Sequence, residues 1–168
     1  MSRRSPRSPR TRDDIARDLA IILNSDVSIF LKKRICAGCC WGWTEIDGKY
    51  RGCRYATPDA LSAIEAHRGQ PGRVRGLIHE HAVPRIVIAG KLLALQRPTT
   101  EDVAAVLDRY AIGVVVTQAE NKRLEAGLRQ KMPPTFTDPA HPHHNDPFAR
   151  YRATAIPVID TRTGSRVV

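Results

Sequence analysis

Aromatic residues are scarce in this 168-residue chain, at 5%, so the interior must rest on Ile, Leu, Val and Ala rather than on stacked rings. No stretch approaches the ~20 consecutive apolar residues that a membrane helix requires. Asp13, Asp14, Arg17 and Asp18 also break up the region where a secretory signal would sit. The expectation is a cytoplasmic protein with no membrane partner. Its four cysteines are then thiols or metal ligands, because disulfides do not persist in that compartment. Acids are in short supply as well: 17 Asp and Glu face 27 Lys and Arg, a formal net charge of +10. Self-repulsion of that size is relieved best by a polyanion, and nucleic acid is the common one. The length suits one compact domain with a flexible segment, not two full domains.

What is present falls into three parts. Residues 1–12 hold Arg3, Arg4, Arg7, Arg10 and Arg12 among Ser and Pro, and are expected to form a disordered basic tail. Residues 13–57 are read as an N-terminal helix followed by a Cys-rich hairpin. Ile15, Leu19, Ile22, Leu23, Val27, Phe30 and Leu31 recur at helical spacing over 13–34. Two strand-like runs, 41–46 and 49–55, flank Asp47-Gly48, a pair that tolerates the positive φ of a tight turn. Residues 58–168 form the third part. Pro58 opens a short helix, and an apolar strand leads into His79-Glu80-His81. Thr99 and Thr117 each start a helix, and Ile112–Val116 is a buried strand by its β-branched run.

Two pieces of this third part carry chemistry. Glu80-His81-Ala82-Val83-Pro84 ends a strand, and Thr117-Gln118-Ala119-Glu120-Asn121 turns the next strand into a capped helix. Cleaving a phosphodiester needs an activated water and a cation to neutralise developing charge. Glu80 can bind a hard cation through oxygen, and an imidazole such as His81 can take a proton from water near neutral pH. Neighbouring strand residues point to opposite faces, so the two share a site only where the strand ends and the chain turns.

These motifs resemble the HNH endonucleases with a ββα-metal core, whose first motif is an acid or His, then His, two residues and Pro. Their last motif sets a His or Asn on the helix after the second strand, where Asn121 falls. The resemblance spans about residues 74 to 131. It implies an α+β fold with an HNH-like core flanked by helices, and a metal-dependent endonuclease acting on DNA. By position, Glu80 resembles the first metal ligand, His81 the general base and Asn121 the second ligand of a divalent ion (Mg2+, Mn2+ or Zn2+). Glu125, one turn further along the same helix face, could add a carboxylate. The Asn that orients the base in such enzymes has no counterpart, since no Asn lies between His81 and Asn121. A backbone carbonyl near Ile112 or Gly113 is the expected substitute.

Weaker signals surround these. Cys36-x-x-Cys39-Cys40 with Cys53 could hold a structural Zn2+, with His67 as an alternative fourth ligand, although a second Cys-x-x-Cys half is missing. Buried thiols are the competing account. His141, His143 and His144 sit among prolines with no imposed geometry and are read as loop. Arg85, Lys122, Arg123 and Arg150 are candidate phosphate contacts. Trp41, Trp43 and Tyr50 could stack on bases or pack the hairpin. The rival function is a non-catalytic, zinc-stabilised nucleic-acid-binding protein.

Overall fold

The computed structural model describes residues 11–68 and 74–168; most of the expected basic tail lies outside them. Eight helices and four short strands are found there. They are α1 (Arg12–Asn24), α2 (Ile29–Glu45), β1 (Tyr55–Ala56), α3 (Pro58–Ala66), β2 (Leu77–His81), α4 (Arg85–Leu93), α5 (Thr100–Tyr110), β3 (Gly113–Thr117), α6 (Gln118–Leu128), α7 (Pro134–Thr137), α8 (Ala149–Ala153) and β4 (Ile159–Asp160). The fold is α+β around one mixed sheet of order β2-β3-β1-β4. β3 is antiparallel to β2 and parallel to β1, and β4 runs antiparallel to β1.

Local chemistry explains most of these boundaries. Thr11, Thr99 and Thr117 each close a capping box with an acid three residues on: Asp14, Asp102 and Glu120. Two otherwise orphaned N–H groups are satisfied at each start. Helix α6 bends near its end, where Gly127 adopts φ +88°, a conformation that costs glycine little. The main core gathers Ile15, Leu19, Cys36, Cys40, Trp43, Ile88, Leu92, Val103 and Leu107 from α1, α2, α4 and α5. A second cluster joins Val114 and Val116 of β3 to Leu124 of α6 and Tyr151 of α8.

Two expectations for the N-terminal part are corrected. The single helix over 13–34 is two, because Ser25 closes α1 and Ser28 caps a new start at Ile29. Phe30 and Leu31 consequently face outward, at 67% and 46% exposure, instead of lining the core. The Cys-rich hairpin is absent: residues 36–45 continue α2. Cys36, Cys40 and Trp43 are spaced one helical turn apart and bury one stripe against α4 and α1. That burial outweighs the roughly 1 kcal/mol each that Gly38 and Gly42 cost a helix. Asp47-Gly48 does turn, with Gly48 at φ +111°, but it closes α2 and joins no strands.

Candidate functional site

Strand β2 buries alternate residues. Leu77, His79 and His81 point to one face; Ile78 and Glu80 point to the other and are half-buried. The strand ends at His81, and Ala82–Pro84 turn the chain into α4. At this corner Glu80 and His81 both line a cleft of about 380 Å³, with Trp41, Pro84, Arg85, Ile86, Glu125 and Arg129 around it. Both side chains thus reach one cleft at the end of the strand.

His81 is almost wholly buried, at 3% exposure. Its ring meets Trp41 edge-on at 4.4 Å between centroids, and Thr44 Oγ1 lies 3.4 Å from Nε2. Burial pushes its pKa down to about 3 against an opposing backbone hydrogen bond at Cys40, and His79, Arg85 and Arg150 depress it further. The imidazole is thus neutral throughout the physiological range. The groups that hold it come from α2. The carbonyls expected to orient it are engaged elsewhere: Ile112 accepts from the Ala82 N–H and Gly113 from the Cys53 thiol. Sequence reasoning missed Thr44 and this use of Trp41, because α2 was read as a hairpin.

His79, on the same face, donates from Nδ1 to the Lys49 carbonyl at 2.6 Å, and burial lowers its pKa too. Its ring leaves no room opposite: a Cβ on Gly113 would lie 2.5 Å from it. Glycine at this strand position is therefore a packing requirement.

Glu80 faces the α6–α8 side. Arg150 Nη1 donates to its Oε1 at 2.9 Å and to the His81 carbonyl at 3.0 Å. The Arg150 side chain is fully buried, which corrects its expected role as a phosphate contact. One guanidinium thereby braces both residues of the strand-end pair from below. Its Nε and Nη2 have no protein partner, and neither do the buried Asn121 Oδ1 and Tyr151 hydroxyl.

Helix α6 explains where Asn121 and Glu125 fall. It starts at the Leu77 end of the sheet, since Thr117 pairs with Leu77, and packs back over β2 and β3. Glu125 is about 10 Å along it at 1.5 Å per residue, and Glu80 is about 10 Å along β2 at 3.3 Å per residue. The two carboxylates therefore arrive level and share the cleft. Asn121, a turn earlier, is buried and outside the cleft lining. Arg85 lies in the cleft wall over Trp41, 5.1 Å from the ring centroid. Lys122 and Arg123 are exposed on α6, and Arg123 donates to the Thr154 carbonyl.

Glu80 and Glu125 line the same cleft, and two carboxylates suit a hard cation that keeps most of its water, such as Mg2+ or Mn2+. One Glu80 oxygen is committed to Arg150, and Glu125 Oε1 lies 3.8 Å from Arg129 Nε, which leaves the Oε2 atoms of Glu80 and Glu125 as donors. Among the described residues no three His, Cys, Asp or Glu side chains converge as a metal group. A structural zinc site takes four protein ligands, and no such set is found among the described residues. Cys36, Cys39 and Cys40 share one stretch of α2, and the Cys53 thiol donates to Gly113, not to them. His141 and His143 lie in the loop after α7 with their rings tilted and centroids 5.3 Å apart.

Comparison with protein-family models, with curated proteins and with solved structures finds no match to this chain. No described helix is long and apolar enough to cross a membrane.

Proposed function

We propose that this protein is a divalent-metal-dependent endonuclease that hydrolyses phosphodiester bonds in DNA, with His81 as general base. The observation that carries the reading is that Glu80, His81, Glu125, Arg85 and Arg129 all line one cleft. His81, kept neutral by burial, would accept the proton of a water molecule at its unprotonated ring nitrogen. Glu80 and Glu125 would be the oxygen donors for the cation, Glu80 being held in place by Arg150. The bound cation would stabilise charge on the phosphate and on the leaving oxygen. Arg85 and Arg129 would position the flanking phosphates, and the net positive charge would supply sequence-independent affinity.

Purified protein incubated with supercoiled plasmid at low salt tests this. Nicking with Mg2+ or Mn2+ that EDTA abolishes is the expected result. Binding without cleavage under every metal contradicts the reading. One observation favours the non-catalytic alternative: a base whose pKa lies near 3 accepts a proton weakly. The same assay decides between the two.

A further inference from the structure

Trp41 stands off the stripe that α2 buries. Cys36, Cys40 and Trp43 turn inward, Trp43 to 3% exposure. Trp41 is only half-buried and lines the cleft beside Glu80, His81 and Arg85. Two cations sit against its ring: the Arg85 guanidinium lies 5.1 Å and the Lys49 ammonium 5.5 Å from the centroid. Lys49 is paired with Glu45 at 2.9 Å. Arg85 has no carboxylate partner among the described residues. One hydrogen bond of 3.3 Å, from its Nη1 to the Ala37 carbonyl, holds its head. An indole and an unpaired guanidinium therefore share a cleft wall next to a recessed imidazole.

We infer that the cleft takes an unpaired DNA strand, with Trp41 stacking on the base beside the phosphate that His81 faces. The inference rests on the nuclease reading above and names the form of its substrate. His81 is 3% exposed, so a phosphate must descend into the cleft to meet it. A duplex is stiff over about 150 base pairs and keeps its bases turned inward, so it fits such a recess poorly. An unpaired strand bends at each nucleotide and brings a free base with every phosphate. An aromatic ring beside cations is the arrangement that binds such strands, and it reads no sequence because every base has a π-face. Base stacking is stronger than an exposed cation–π contact, so the incoming base displaces Arg85 from the indole. The released guanidinium then turns to the phosphate, for which it offers paired donors. Arg85 thus rests on Trp41 in the free protein and on the strand in the complex.

Titration of the full chain with oligothymidylate of about 12 nucleotides, and with the same strand annealed to oligoadenylate, tests this in EDTA at low salt. Trp43 is buried in the core, so a change in tryptophan emission on binding reports on Trp41. The expected result is quenching by the single strand and tighter binding of it than of the duplex, by about 5- to 150-fold, the worth of one stacked base. Trp41→Leu should lose that preference while its weaker duplex binding stays, and Trp41→Phe, which keeps an aromatic face, should restore most of it. Should Trp41→Leu fail to fold, the quenching and the strand preference of the wild type still decide. Duplex bound as tightly as single strand, or single strand bound without quenching, overturns the inference. If such a protein still nicks plasmid, the nuclease reading survives without it. A protein that binds neither form overturns both.

Discussion

Arg150 touches two neighbouring residues of one strand, the Glu80 carboxylate and the His81 carbonyl, and so ties the end of β2 to the core. Removing one partner of a buried pair leaves the other charge uncompensated, a loss of about 3–5 kcal/mol. Glu80 is itself 21% exposed on its side chain, so water relieves part of that loss. Arg150→Met is therefore expected to lower unfolding stability by about 3 kcal/mol at the lower edge of that range. Glu80→Gln should cost less, and the double variant less than the sum of the two. Urea denaturation of the four proteins measures the coupling, and strictly additive losses would refute the pairing. The sequence offered Arg150 only as one more basic residue. Its burial follows from the seat of α8 beneath β2, which no local pattern announces.

At the scale of elements, the parts read correctly were those with a physical mark in the chain. Thr117 followed by Glu120 specifies the start of α6, and the β-branched run 112–116 specifies β3. The Cys-rich stretch was misread because Gly38, Gly42 and four thiols resemble loop composition, while the helical stripe of Cys36, Cys40 and Trp43 is formed by small or unusual core residues. The pairing of Glu80 with His81 was legible in advance. The choice of Glu125 over Asn121 as cleft neighbour was not, since it depends on how far α6 runs back over the sheet. The cap of α6 also reaches β1's neighbourhood, because Thr57 Oγ1 donates to Glu120 at 2.8 Å. Thr117→Ala should therefore cost about 1–2 kcal/mol, toward the upper end for caps, measured by thermal unfolding. It should also lower cleavage, because α6 carries Glu125. A loss near zero would show that the cap is dispensable.

For the whole molecule, stability should depend on pH through two buried imidazoles. Burial lowers the pKa of both His79 and His81 from 6.5, that of His81 to about 3. Below pH 6.5 the unfolded chain takes up protons that the folded chain refuses. This contribution is complete above pH 6.5 and is lost as pH falls from there, for His81 down toward 3, by up to about 1.4 kcal/mol per pH unit for each imidazole that stays neutral. Chemical denaturation at pH 7.5 and pH 5 is expected to show lower stability at pH 5, and His81→Gln should flatten the dependence. No change between the two pH values would contradict the buried, neutral state. Net charge and cleft are the two features on which the proposed action on nucleic acid rests. The central claim is that His81 takes the proton from water. The most direct test is the plasmid nicking rate of His81→Ala beside wild type, with Mg2+ present and DNA saturating. A fall of roughly 10²–10⁴, the usual contribution of a general base, with DNA binding retained, is predicted. An equal rate in the two proteins would contradict it.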